Sequence, residues 1–374
     1  MSIRDLSKRL QMDVAELRRE IEAKPEPRLG VIGKIARELS LPKFAFFMSR
    51  VPELNGALPD FRSDQPDETQ KSRPTVEAIQ LAQTVQRTAI RLASESATEL
   101  PRFTASTVPD IEAFALIARN FFGITIEDQR DAKDAKAFYT LCRKKIEDKG
   151  IYVLHASFPA EDGSGFCLAH PEHPVIVINT KNQTRARRLF TLVHELAHVL
   201  MGKSGISDPF IRKNAIERRC NRFAGAFLVP RTFIRSLLKD ITPAKHPDAE
   251  AVVWVSRRLK ISQEASVLRL EQLGLFEEGS HSSWLAIVKS RGGNPDYSER
   301  GGGSGQPPPQ EKTKLAKYGF RFARVFSPLL AKGEIDPINL YRATGLKPAY
   351  QKAYFHYAKS LTSDDLRDLD LDDE

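Results

Sequence analysis

The chain has 374 residues, 41% of them hydrophobic and 28% charged, a globular composition with room for two or three domains. No run of about 18 apolar residues is present, so no membrane-spanning helix is expected. The opening MSIRDLSKRLQ lacks the apolar stretch and small-residue cleavage site of a signal peptide. Three scattered cysteines (Cys142, Cys167, Cys220), none in a C-x-x-C pair, argue against a disulfide framework and for a reducing cytoplasm. The net charge of +9 favours acidic partners, nucleic acid among them, all the more because the last residues, SDDLRDLDLDDE, are strongly acidic.

In chain order, Arg4 to Gln11, Val14 to Ile21 and Leu29 to Leu39 place apolar residues three or four apart and read as short helices. Their tight turns suit a helix-turn-helix-like domain over 1–57, with Arg18 and Arg19 as the bases of a recognition helix. Residues 58–75 are polar and proline-punctuated, a linker by composition. Three helices are expected next, over 76–95, after Pro109-Asp110, and in AKAFYTLCRKKIEDKG. Short β-rich runs follow in GIYVLHAS, SGFCLAH and PVIVINT. A long helix over 185–201, started by Asn182 or Thr184 and closed by Gly202, leads through a loop to a helix near 215–228. Two more helices meet at Ile261-Ser262. This is an α+β domain over 76–280. Residues 281–312 read as a Gly/Pro-rich linker, and 313–374 as a small helical segment with the acidic tail.

The helix TLVHELAHVL, residues 191–200, reads as buried core, yet it carries His194, Glu195 and His198. Imidazoles and carboxylates do not belong in a core unless something there binds them. On a helix, positions i and i+4 share a face, so both imidazoles reach one ion. Glu195 sits about 100° round and reaches a water at that ion, as a general base. This is the H-E-x-x-H arrangement of a Zn2+ (zinc) hydrolase. A third ligand is needed, and Glu217 on the following helix supplies one. Asn221, one turn on, is placed to bond the second nitrogen of a ligating histidine. Cys220 competes as a ligand, though a hydrolytic zinc suits His, His and Glu better. Val175, Ile176, Val177, Ile178 and Asn179, read as an edge strand, would pair with an extended substrate backbone. His170, His173 and His281 are oxyanion-stabilising candidates by residue type alone, and each reads as a surface histidine.

FTLVHELAHVL together with IERRCNRFAGAFLVP resembles the ImmA/IrrE family of bacterial and phage metallopeptidases. The pattern F-T-x-x-H-E-x-x-H, then E-x-x-[AC]-N-x-F-A and L-x-P, is matched by Glu217, Cys220, Asn221, Phe223, Ala224, Leu228 and Pro230. The N-terminal segment resembles the Cro/repressor-type helix-turn-helix often fused ahead of such peptidases, and LPDFR at 58–62 looks like their junction. The resemblance implies a gluzincin-like fold with His194, His198 and Glu217 as zinc ligands and Glu195 as general base. It also implies a protein substrate, a helix-turn-helix transcriptional repressor whose cleavage releases mobile-element, phage or stress-response genes. A second reading is a DNA-binding regulator or toxin–antitoxin component whose metallopeptidase domain is a sensor or scaffold. A third is a zinc hydrolase of a small molecule. An intact Glu195 favours chemistry over a scaffold.

Overall fold

Each segment whose apolar spacing predicts a helix is helical in the computed structural model, which describes residues 3–22, 28–38, 71–92, 100–101, 110–207, 215–237, 248–291, 308–362 and Asp365. The expected junction at 58–62, the Gly-rich stretch 292–307 and the acidic tail apart from Asp365 lie outside the described residues. The helices α1 (Ile3–Leu10), α2 (Val14–Ile21) and α3 (Leu29–Glu38) belong to one compact unit with the first turns of α4 (Arg73–Leu92). Leu6, Leu17 and Ile35 form the small core of this unit. Asp13 caps α2, its carboxylate accepting the N–H groups of Ala15 and Glu16 at 2.8 and 3.2 Å. Arg18 and Arg19 are exposed on α2.

The second unit takes in the rest of α4 from Leu81 and continues with α5 (Ile111–Phe121), α6 (Ile126–Asp131) and α7 (Ala135–Asp148). Strands β1 (Tyr152–Ala156), β2 (Gly165–Leu168) and β3 (Val175–Asn179) then lead into α8 (Arg185–Leu200). A short β4 (Gly205–Ser207) precedes α9 (Ala215–Leu228) and α10 (Arg231–Leu237). The chain continues through α11 (Ala249–Leu259), α12 (Gln263–Gln272) and α13 (Ser280–Ser290), then α14 (Gln310–Ala331), α15 (Pro337–Thr344) and α16 (Pro348–Ser360). The fold is thus α+β, mostly helical with a small mixed sheet.

The sheet order is β1-β3-β2-β4, with β1 parallel to β3 and the other pairs antiparallel. This corrects the edge-strand expectation for Val175, Ile176, Val177, Ile178 and Asn179. Each of the five pairs with β1, Tyr152 opposite Val175 through Ala156 opposite Asn179, and β2 closes the other side. All five are buried, as an apolar run without alternation requires when both faces are covered. Asn179 is structural: its amide donates to the carbonyls of Phe158 and Gly163 and accepts from the N–H of Lys181. The fourth strand, β4, lies in what reads as a loop, and α13 occupies most of the first third of the expected 281–312 linker.

Thr184 starts α8, its hydroxyl accepting the N–H of Arg187 at 3.3 Å. The helix packs on β2, β3, α7 and α9. Leu189, Leu192, Val193, Leu196 and Leu200 share one core with Val153, Ile176, Ile178, Phe223 and Phe227. Each such side chain contributes about 1.5–3 kcal/mol through burial. Arg187 pairs with Glu264 at 3.1 Å, and Glu264 also meets His281 Nε2 at 3.0 Å, tying α8 to α12 and α13.

The C-terminal helices belong to this same unit, and α14 packs against β1 and α7. A buried clasp joins them. Arg143 donates to the carbonyls of Ala316 and Val153 at 2.7 and 2.5 Å and lies 3.4 Å from Glu147. Glu147 accepts the N–H of Phe320 at 2.6 Å, and the Tyr354 hydroxyl donates to the carbonyl of Gly319, also at 2.6 Å. Gly319 interrupts α14 at φ +80°, and a Cβ there would run into the Glu147 carboxylate.

Candidate metal centre

One turn of α8 separates His194 from His198, which brings their Nε2 atoms to 3.2 Å. From α9, Glu217 places Oε2 3.0 Å from His194 Nε2 and Oε1 3.2 Å from His198 Nε2. All three side chains are essentially inaccessible to solvent. His194 Nδ1 donates to Asn221 Oδ1 at 2.9 Å, which leaves the lone pair of Nε2 turned toward Glu217. The two carboxylate oxygens meet no other donor among the described residues.

The Nε2 lone pair of His194 therefore faces a carboxylate in a dry interior, an arrangement that a cation relieves. Nitrogen and oxygen donors about 2.0–2.1 Å from a tetrahedral zinc stand about 3.3 Å apart, close to the spacing here. Without a metal, a proton must serve. Burial drives the His194 imidazole down, but Glu217 beside it and the bond to Asn221 bring it out above its ordinary value. Burial leaves His198 below its ordinary value. Burial alone would raise Glu217, yet the two imidazoles hold it below the usual carboxylate range. The residues fit a divalent metal: two imidazoles, one ionised carboxylate and a partner fixing one tautomer.

Cys220, one turn beyond Glu217, is also near. Its sulfur and a ring nitrogen from each histidine all lie within 4.8 Å of one another. Burial, then the carboxylates of Glu217 and Glu195, push its thiol well above its ordinary value. Using Cys220 as donor requires removing that proton beside an anion, whereas Glu217 is held below the usual carboxylate range and stands 3.0 and 3.2 Å from the two imidazoles. Geometry and charge both favour Glu217 as third donor.

Glu195 is buried on the adjoining strip of α8. It faces Gly165 of β2, where an added Cβ would stand 3.3 Å from Glu195 Oε1, 3.0 Å from Thr191 Cγ2 and 2.8 Å from the Val177 carbonyl oxygen. Only glycine leaves that space for the carboxylate. Cys167, two residues on, donates its thiol to the Lys203 carbonyl at 3.2 Å. Burial and the Glu195 charge raise that thiol well above its ordinary value. Neither Gly165 nor Cys167 was singled out by sequence reasoning; a glycine inside an otherwise apolar strand was the available signal.

The three other histidines do not join this cluster. His281 and His173 are buried rather than superficial, His281 against Glu264 and His173 beside the Tyr152 ring, with centroids 6.3 Å apart. His170 Nδ1 accepts the N–H groups of Glu172 and His173, capping a turn. Arg18 and Arg19 belong to the other unit.

Residues 146–271, about a third of the chain, match the family model described as Peptidase_M78, IrrE N-terminal-like domain. That stretch contains β1 to β4 and the whole cluster, and the match supports a metallopeptidase domain of the IrrE/ImmA type. No curated protein matches the chain.

Proposed function

We propose that the chain is a zinc-dependent endopeptidase that cuts one specific protein, a helix-turn-helix transcriptional repressor, and so derepresses the genes under it. The observation that carries the metallopeptidase reading is the convergence of His194, His198 and Glu217 at 3.0–3.2 Å, with no other donor for the carboxylate among the described residues. His194, His198 and Glu217 would hold Zn2+, and Asn221 would keep His194 in the tautomer that presents Nε2. The metal, when bound, acidifies water and polarises a carbonyl. Glu195 takes the proton from the attacking water and passes it to the leaving amine. Gly165 leaves Glu195 room to do so.

With β3 interior to the sheet, the strand that suits an extended substrate is β4. Among the described residues β4 pairs with β2 alone, and its partner Cys167 stands beside Glu195. What supports a repressor as the substrate is the resemblance carried by the two motifs and the three-helix N-terminal unit. That unit, with Arg18 and Arg19 exposed, also supports a second reading, a DNA-binding regulator that uses the metal domain as a sensor.

The test is a comparison of new protein N-termini in cells expressing the wild type or Glu195→Gln. One or a few termini within a repressor, present only with the wild type, are expected. An identical set of termini, with zinc bound in both proteins, overturns the peptidase reading and leaves the regulator.

A further inference from the structure

A cleft of about 580 Å³ is lined by Trp254, Arg257 and Arg258 on α11, by Lys260 at its end and by Arg291 at the end of α13. Trp254 packs partly on the main core and gives its remaining surface to the cleft. The Arg258 guanidinium lies over the indole, 5.2 Å from the ring centroid. Lys260 donates to the Lys133 carbonyl at 3.2 Å, a bond that leaves its charge uncompensated. The three arginines are exposed, and none of the four cations makes an ion pair among the described residues. Glu250 is the one carboxylate in the described lining, so four cations stand against one anion. Like charges gathered this closely repel one another until an anion answers them.

The chain holds a segment of matching opposite charge. Residues 366–374 carry five carboxylates, one arginine and three leucines, and lie outside the described residues. Guanidinium groups take carboxylates bidentately, and leucines give an indole apolar contact. The place where this segment begins is fixed. Burial, then the charges of Glu311 and Asp365, raise the Tyr357 phenol, so Asp365 lies near the start of α14. The Ala316 carbonyl of that helix bonds Arg143 on α7, while Lys260 bonds Lys133, two residues before α7 begins. One helix of 14 residues, about 21 Å long at 1.5 Å per residue, therefore links the two places. Nine extended residues reach about 30 Å, more than that helix spans.

We propose that the chain's own acidic segment, residues 366–374, docks in the cleft formed by Trp254, Arg257, Arg258, Lys260 and Arg291, its carboxylates on the cations and a leucine against the indole. The docked segment holds the cleft closed, so that any other acidic partner must displace it. The contact is separate from the metal cluster and does not depend on its chemistry.

The experiment couples amines to touching carboxylates in the full-length protein with a carbodiimide, and maps the joined peptides by mass spectrometry. Lys144 with Asp148 and Lys145 with Asp128, each pair at 2.6 Å, are internal standards. At low salt Lys260 should be joined to a carboxylate of 366–374 in a band of monomer mass. The yield should drop at 1 M salt, where the screening length shrinks to about 3 Å. Arg257→Gln with Arg291→Gln should lower it roughly 2- to 30-fold, the worth of two exposed ion pairs. Both arginines are exposed, so these variants are expected to fold, and the two standards report that they have. Tryptophan emission gives a second readout, because Trp284 is buried and supplies a constant background. Emission should shift with salt in the wild type. With Asp368→Asn, Asp370→Asn, Asp372→Asn and Asp373→Asn together, it should stand at its high-salt value throughout. Coupling of both standards without any joining of Lys260 to 366–374 overturns the proposal. So does a yield unchanged by the arginine substitutions, or a salt response of the emission that survives the four Asp→Asn changes. Joining found only in a band of twice the monomer mass also overturns it and assigns the cleft to the acidic segment of a second copy.

Discussion

Two buried polar clusters lie in the same unit and are satisfied in opposite ways. In the clasp between α7 and α14, donors meet acceptors: the Arg143 guanidinium reaches two carbonyls and Glu147, and Glu147 takes a backbone N–H. In the α8–α9 cluster, two imidazole nitrogens and a carboxylate meet one another, and His194 turns a lone pair toward the carboxylate. The first cluster completes its hydrogen bonds from the chain alone and makes a joint. The second lacks a donor of its own for the carboxylate among the described residues, needs a proton or a metal ion to complete it, and makes a candidate site. Burial does not distinguish them, since each cluster is almost wholly inaccessible. The balance of donors and acceptors does.

Exchanging a ligand breaks this contrast hardest. Glu217→Ala should lose stoichiometric zinc, read by metal analysis after gel filtration, whereas Arg143→Ala should destabilise the fold and keep zinc in the molecules that remain folded. Full zinc in Glu217→Ala would move the third ligand to Cys220, and a sulfur-to-cobalt absorption band in the Co(II) protein would identify it. Glu195→Gln should retain the metal and lose about 10²- to 10⁴-fold in turnover, the usual worth of a positioned general base. Gly319→Ala should cost about 3–5 kcal/mol of stability, the scale for breaking a buried ion pair, seen as a lower denaturation midpoint. A midpoint like the wild type's would mean that α14 tolerates a side chain there and that the clasp is looser than drawn. Asn221→Ala should weaken zinc binding about 10- to 100-fold without abolishing it, measured by competition with a chelator.

The smallest effect is also the most discriminating, because acid should act on the two clusters with opposite sign. Burial lifts Glu147 from 4.5 to about 6, with Arg143 working against it. The folded state therefore holds the Glu147 proton more tightly than the unfolded chain does. This group's contribution to stability grows as pH falls from about 6 toward 4.5, by about 2 kcal/mol in all, and is absent above that window. At the metal cluster, falling pH protonates the imidazoles and expels zinc. Thermal unfolding of the zinc-free protein against pH, beside zinc retention against pH, should show the two trends diverging. Parallel curves would remove the distinction drawn between joint and site.

The metal cluster was legible in the sequence because its chemistry is local. His194 and His198 are one turn apart, and Glu217 and Asn221 sit one turn apart on the next helix, so helical periodicity alone aligns them. Long-range pairing was not legible. PVIVINT carries no mark of which strands flank it, although its unbroken apolar run is what a strand buried on both faces looks like. β4, with the sequence Gly-Ile-Ser, is too short and too polar to announce itself. His281 and His173 read as superficial because their burial depends on Glu264 and Tyr152, which lie on other elements and outside any local helical spacing. The C-terminal helices read as a separate segment because the glycine-rich stretch before them suggests independence, yet Arg143 and Glu147 reach across more than 170 residues to hold α14.

That span sets a schedule for synthesis. Arg143 and β1 leave the ribosome early, and Ala316 follows 173 residues later, about 10 to 35 s at ordinary elongation rates of roughly 5–20 residues per second. For that interval β1, an outer strand of the sheet, waits without the helix that packs against it. The nascent chain thus carries both helices of the candidate metal centre before the sheet beside them is protected. Ribosome-bound chains truncated before residue 310 are the species most in need of a chaperone.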